Sequence, residues 1–90
     1  MILKKLKDEL LEIADSDKAR VLSRFFKTGK GEYGEGDSFL GITVPAQRKI
    51  AKKYQGMPLS DIKKLLYSTT HEHRLVALLI LIIQYRKGFS

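Results

Sequence analysis

The sequence predicts an all-α fold in which short helices pair antiparallel. Apolar residues recur at spacings of three and four along several segments, which is the repeat of a helix with one buried face. No segment shows the alternation of apolar and polar residues that is typical of a half-buried strand. Ninety residues, of which 43% are hydrophobic and 30% charged, are enough for one folded domain with a modest core.

Two helices are predicted in the first part of the chain, over about residues 2–14 and 17–27. In both, large apolar side chains lie at helical spacing. The Asp15–Asp17 segment between them can supply the side chain that caps the second helix. Because only a few residues separate the two helices, we expect them to form an antiparallel hairpin.

A glycine-rich loop over residues 28–44 is predicted to follow. Its Gly29–Gly34 segment has the GxGxxG spacing of a phosphate-binding loop. That spacing binds a dinucleotide where it follows a strand and opens a helix, whereas here it follows a helix and has acidic neighbours, so a nucleotide site is rejected. We expect instead a loop that Tyr33 and Phe39 anchor to the core.

Three more helices are predicted, over about residues 45–54, 61–67 and 71–87. Pro45 is expected at the first helical position of the first of them, where its missing N–H costs nothing. Ser60 is expected to cap the second. The elements then form two helix pairs and one unpaired helix, with about 40 residues per pair, a period typical of HEAT or armadillo-type repeats.

The helix over residues 71–87 is expected to begin with a capping box of Thr69 and Glu72 and to end at Gly88. Every residue from Leu75 to Ile83 is apolar, so this helix has no polar stripe. We therefore expect another surface to cover it. That surface is a downstream repeat of a longer protein of which this chain is a fragment, or else a partner or a second copy of the chain that takes the place of this repeat.

Charge is distributed unevenly along the chain. Residues 1–44 contain eight Lys/Arg and eight Asp/Glu, whereas residues 45–90 contain nine Lys/Arg and two Asp/Glu, so the second half carries the whole net charge of +7. Such asymmetry indicates a surface that binds a polyanion. A basic surface that serves only solubility is the alternative.

The predicted helix over residues 45–54 carries the strongest candidate site. Arg48, Lys49, Lys52 and Lys53 fall in an arc of about 140° opposite the apolar residues of the same helix. Four cations at helical spacing can follow a phosphate backbone and release its counterions. Lysines of the next helix can extend this patch, and a solvated lysine face is the alternative interpretation.

Several classes of function are excluded or disfavoured. The chain has no cysteine, which excludes disulfides, thiolate metal sites and a cysteine nucleophile and fits the cytoplasm. Its longest apolar run has nine residues, too few to span a bilayer, and we expect no secretion signal. His71 and His73 would point about 200° apart on a helix, so we expect no metal site.

Several motifs in order resemble the DNA alkylation-repair family of AlkD-type glycosylases. The resemblance runs from about Phe26 onward. It rests on the segments Tyr33–Asp37, Phe39–Ile42, Val44-Pro45-x-x-Arg48, Ala51–Tyr54 and Ser68-x-x-His71-Glu72-x-Arg74-x-x-Ala77-Leu78.

This resemblance implies a right-handed stack of HEAT-like helix pairs with a concave, positively charged cleft for duplex DNA. Members of the family excise alkylated purines such as 3-methyladenine and 7-methylguanine without a metal or an organic cofactor. Family members are more than twice as long, so the catalytic residues are expected beyond Ser90 and none is assigned here. The resemblance implies that Arg48 contacts DNA or organises a loop, and that the polar Thr43 lies near the groove.

Two hypotheses follow from these observations. In the first, the chain is the DNA-binding N-terminal portion of an alkylpurine glycosylase in base excision repair, with Arg48, Lys49, Lys52 and Lys53 on phosphates and Thr43 near the groove. Its partner is duplex DNA containing alkylated bases, and the chain alone is expected to be catalytically silent. In the second, the chain is a non-catalytic helical-repeat module whose basic face binds an acidic protein.

Overall fold

A computed structural model describes residues 2–26, 31 and 36–88. They form five helices: α1 (Ile2–Glu12), α2 (Ser16–Phe25), α3 (Val44–Lys53), α4 (Leu59–Leu66) and α5 (His71–Arg86). Within these residues the only β-type pairing is one isolated bridge between Ser38 and Thr70. The predicted all-α fold is confirmed, and each helix end lies within two residues of its predicted position.

The core lies around α5, which packs against both α3 and α4, while α1 packs against α3. Aliphatic side chains and one methionine fill it. They are Leu6 and Leu10 of α1, Ile42 before α3, Ile50 and Ala51 of α3, Met57 between α3 and α4, Ile62 and Leu65 of α4, and Val76, Ala77 and Ile80 of α5. None of the residues of α2 is buried, so this helix lies at the edge of the core.

Two helices begin differently from the prediction. Thr43 caps α3, so Pro45 occupies the second helical position and not the first. Proline fits there equally well, because the N–H groups of the whole first turn have no partner inside the helix. Ser60 was wrongly predicted as a cap: α4 begins at Leu59, and the carbonyl of Pro58 accepts the first helical hydrogen bonds, from Asp61 at 3.0 Å and Ile62 at 3.1 Å.

The capping box predicted at the start of α5 is wrong. Thr70 is the N-cap residue of α5 and its side chain makes no capping hydrogen bond. The carboxylate of Glu72 reaches away from its own helix and accepts hydrogen bonds from three consecutive N–H groups, those of Leu40 at 2.9 Å, Gly41 at 3.0 Å and Ile42 at 3.4 Å. This contact, hereafter the Glu72 clamp, holds the segment before α3 against the start of α5.

Gly41 is held from its other side by the turn between α1 and α2. Its φ of +78° is in the left-handed region, and a Cβ atom there would lie 2.1 Å from the carbonyl oxygen of Asp15 and 2.7 Å from the nitrogen of Ala19. The N–H of Asp15 also donates to the carbonyl of Leu40 at 2.8 Å. Glycine is therefore required at this position for two independent reasons.

Phe39 is buried as predicted, and it stacks on His71 at 4.8 Å and on Phe26 at 5.3 Å between ring centroids. Tyr33 and the Gly29–Gly34 segment, apart from Gly31, lie outside the described residues. Gly88 has a φ of +76° and its N–H donates to the carbonyl of Tyr85, as predicted for the end of α5.

One apolar side of α5 is exposed to solvent in the part of the chain that the structure describes. Leu78, Ile82 and Tyr85 are exposed by 48%, 47% and 84%. They lie at spacings of four and three and therefore on one face of the helix. No helix of the described residues is long and apolar enough to cross a bilayer.

We expect Gly41→Ala to lower the free energy of unfolding by about 3 kcal/mol or more, because the added Cβ collides with backbone and the left-handed conformation is strained. Gly36→Ala is the matched control: Gly36 has a φ of +89°, but a Cβ there meets nothing within 4 Å, so only the strain of about 1 kcal/mol remains. Urea denaturation measures both values. Equal losses in the two variants would contradict the close approach of Gly41 to α2.

Candidate nucleic-acid interface

The four cations predicted on α3 are all exposed, and the opposite side of the helix is buried through Gln47, Ile50 and Ala51. The structure nevertheless divides the cations into two rows. Arg48 and Lys52 face the end of α5, whereas Lys49 and Lys53 face α1. These rows differ in what surrounds them.

A cationic groove of about 580 Å³ lies between α3 and the C-terminal end of α5. Its basic residues are Arg48 and Lys52 of α3 and Arg86 and Lys87 at the end of α5. The remaining lining residues are Gln55, Leu79, Ile82 and Ile83. Among the residues that the structure describes, four basic and no acidic side chains therefore line this groove, which makes it an attractive site for an anion.

The helices on both sides of the cationic groove are fastened together at its end. The side-chain amide of Gln84, on α5, donates to the carbonyls of Gln55 at 2.8 Å and Met57 at 3.0 Å, which follow α3. The spacing between the two pairs of cations is thus determined by these two tertiary hydrogen bonds and by the packing of α3 against α5.

Lys49 and Lys53 line a different surface together with Glu9 and Glu12 of α1. The ammonium group of Lys53 lies 2.5 Å from a carboxylate oxygen of Glu9, and the hydroxyl of Tyr54 donates to the same oxygen. The hydrogen bond from Lys53, and after it the one from Tyr54, lowers the pKa of Glu9 below 4.5. The hydrogen bond to Glu9 in turn raises the pKa of Lys53 above 10.5. Lys53 is therefore charged and already paired with an acidic partner.

Thr43 lies apart from the cationic groove. Its side-chain oxygen accepts the N–H of Ala46 at 3.4 Å and so caps α3. Its exposed position borders a separate, apolar groove beside α2. The structure thus gives Thr43 a structural role as an N-cap residue.

The start of α5 carries polar groups that bind one another. The guanidinium of Arg74 donates to the carboxylate of Asp37 at 3.1 Å and to the carbonyl of Ser68 at 2.8 Å. The ring nitrogen Nδ1 of His73 lies 2.8 Å from the hydroxyl of Ser68. Burial of the ring, and to a smaller extent the charge of Lys7, lowers the pKa of His73 below 6.5.

Sequence reasoning missed Arg86 and Lys87 as members of the candidate site. Cations in the last turn of a helix commonly only offset its dipole, so their position there did not indicate a site. The signal that could have found them is their position shortly after the apolar run of α5, the helix that packs against α3. Among residues 2–26, 31 and 36–88, no three His, Asp or Glu side chains come together as a metal site would require.

The fold and the groove define an all-α protein in which a cationic groove, lined by no acidic residue of the described ranges, lies between two packed helices. A family model described as DNA alkylation repair enzyme matches residues 6–90, so the chain belongs to the DNA alkylation repair enzyme family. The resemblance identified from the sequence motifs is thereby confirmed. No curated protein and no solved structure matches the chain significantly.

His73 makes stability depend on pH in a defined direction. Because its pKa in the folded state lies below 6.5, the folded chain disfavours the protonated ring. This contribution to stability is complete above pH 6.5 and is lost as the pH falls toward the folded pKa. We expect His73→Asn to reduce the loss of stability between about pH 7.5 and about pH 5.5, measured by urea denaturation at each pH.

Glu9 does not contribute to the pH dependence over this interval, because its lowered pKa affects the free energy of unfolding only below about pH 4.5. A variant with the same pH dependence as the unmodified chain over this interval would show that His73 is not the group responsible.

Proposed function

We propose that this chain is the DNA-binding portion of a glycosylase that excises alkylated purines, such as 3-methyladenine and 7-methylguanine, in base excision repair. The observation that carries the proposal is the cationic groove, where Arg48, Lys52, Arg86 and Lys87 meet and no acidic side chain lies among the described lining residues. Membership of the DNA alkylation repair enzyme family supports duplex DNA as the polyanion.

The groove would hold the phosphate backbone and not the bases. Arginine and lysine side chains replace the counterions of neighbouring phosphates, and this release makes the affinity fall steeply with salt. Such contacts fix the position of the protein on the duplex without reading its sequence. Arg48 and Lys52 are one helical turn apart, so they can contact the same strand while Arg86 and Lys87 contact it from the other wall.

Of the four cations predicted on α3, Lys53 is the weakest candidate for a phosphate contact. Its ammonium group is bound to Glu9, and a phosphate would have to displace that carboxylate. Lys49 faces the same acidic side of α1. We therefore assign the main phosphate contacts to the cationic groove and a minor role to the row that faces α1.

Excision requires more than a phosphate clamp. Breaking the bond between base and sugar develops positive charge on the sugar, which a nearby carboxylate stabilises, while an alkylated purine is already a cationic leaving group. Three carboxylates of this chain are engaged otherwise: Glu9 with Lys53, Glu72 with backbone N–H groups and Asp37 with Arg74. We propose that residues outside this chain provide the catalytic group.

A salt series with duplex DNA tests the binding proposal. We expect the logarithm of the binding constant to fall with the logarithm of salt concentration with a slope steeper than about −2. Lys52→Gln should make that slope shallower by about one unit, because one phosphate contact is lost. Fluorescence anisotropy of a labelled duplex measures both.

Lys53→Gln is the matched control, because it removes the same charge from the same helix and from a residue that is already paired. Its slope should stay close to that of the unmodified chain. Equal changes in both variants would remove the distinction between the two rows. Absent or salt-independent binding would instead favour an acidic protein partner, for which the exposed Leu78, Ile82 and Tyr85 beside the groove offer apolar contacts.

Release of free base tests the location of the chemistry. The chain is incubated with duplex DNA containing 7-methylguanine, and the free base is quantified by chromatography against a sample without protein. We expect no release above this spontaneous background, because the proposal gives the chain only the binding role. Release above background would place a catalytic group within these ninety residues.

A further inference from the structure

The side chain of Glu9, on α1, joins two neighbouring residues at the end of α3. One of its carboxylate oxygens accepts hydrogen bonds from the ammonium group of Lys53 and from the hydroxyl of Tyr54, both at 2.5 Å. The ammonium nitrogen of Lys53 also lies 5.6 Å from the centroid of the Tyr54 ring, within the range of a cation–π contact. The side chain of Lys53 is nevertheless 61% exposed. The carboxylate, and not burial, therefore keeps this cation from a ligand.

Glu9 carries its negative charge under the conditions in which DNA binding is measured. The hydrogen bond from Lys53, followed by that from Tyr54, holds its pKa below 4.5, so the carboxylate is ionised at neutral pH. Glu12, one turn further along α1, lines the same surface. Phosphates that approach this side of α3 therefore meet two acidic side chains.

The other side of α3 has no such partner. Within residues 2–26, 31 and 36–88, neither Arg48 nor Lys52 forms an ion pair. The sequence of α3 alone does not produce this difference, because all four of its cations are exposed and lie within one arc of the helix. The difference is produced by α1, which packs against α3 on one side only.

The two rows of cations are close enough for one polyanion to meet both. Each residue of the row that lines the cationic groove is the chain neighbour of a residue of the row that faces α1. A helix with its side chains is only about 10–12 Å wide. That width is about one Debye length at ordinary salt concentrations, so DNA in the cationic groove is also affected by the charges beside α1.

We propose that Glu9 determines which side of α3 binds DNA: its carboxylate occupies Lys53 and repels phosphates, so that the backbone is confined to the cationic groove. Glu9 is then a specificity-determining residue that contacts no ligand itself. The inference rests on the proposed function, because it concerns the surface on which that function takes place.

A merely structural role for Glu9 predicts the opposite result. Glu9 connects α1 to α3, so a variant without its charge has a weaker contact between these helices. A less stable fold binds DNA equally well or more weakly. If Glu9 confines DNA to one row, the same variant binds DNA more tightly.

Glu9→Gln tests the inference, because glutamine keeps the size of the side chain and an oxygen acceptor but has no charge. We expect binding to duplex DNA to be at least about threefold tighter at about 0.05 M salt. The slope of the logarithm of the binding constant against that of salt concentration should become steeper by about one unit, because Lys53 gains a phosphate contact. The double variant with Lys53→Gln should return the slope to that of the unmodified chain. Fluorescence anisotropy of a labelled duplex measures these values.

Asp8→Asn is the matched control, because it changes the net charge equally on the same helix. Asp8 pairs with Lys4 at 2.8 Å and does not line the surface shared by Lys49 and Lys53. Its affinity for DNA should stay within about twofold of the unmodified value. Equal tightening in the two single variants would assign the effect to net charge and overturn the inference.

The salt series separates failure of this inference from failure of the proposed function. Salt-dependent binding by the unmodified chain, with unchanged or weaker binding by Glu9→Gln, would overturn the role of Glu9 alone. Absent or salt-independent binding by the unmodified chain would overturn both.

Discussion

The carboxylate of Glu72 determines how the two halves of the molecule meet. Three consecutive N–H groups, from Leu40 to Ile42, converge on this one buried side chain. Hydrogen bonds to a carboxylate are stronger than those between neutral groups, so the clamp fixes the path of the chain immediately before Thr43. Because α3 begins at the next residue, the clamp also determines where Arg48 and Lys52 point. The cationic groove depends on it.

The helices could be predicted because each rests on local periodicity, whereas the clamp joins groups about thirty residues apart. Thr69 and Glu72 have the spacing of a capping box, but the N–H groups at the start of a helix can also be satisfied by other means. Here the carbonyl of Ser38 accepts the N–H of His71 at 2.8 Å. Among the described residues the buried N–H groups of Gly41 and Ile42 donate only to Glu72, and leaving them unpaired would cost more. Glu72 therefore binds the distant groups.

The candidate site was predictable only in part: the sequence predicts the cations of α3, but not their arrangement or the contribution of Arg86 and Lys87. Helical spacing places four cations on one side of α3, but it cannot tell which neighbour each will face. Packing of α1 against α3 brings Glu9 to Lys53, and packing of α5 against α3 brings Arg86 to the row of Arg48. The burial of Gln47 was likewise beyond prediction, because a polar amide at a buried position interrupts the apolar pattern from which the core of a helix is predicted.

The cationic groove lies at the C-terminal ends of two helices, which affects the stability of the protein before any anion binds. Lys52 lies in the last turn of α3 and Arg86 in the last turn of α5, where the terminal carbonyls carry partial negative charge. Those dipoles offset the mutual repulsion of four like charges while no anion is present. A phosphate that binds here must compete with these dipoles for the cations. The net free energy of binding is therefore smaller than the attraction between phosphate and cations alone.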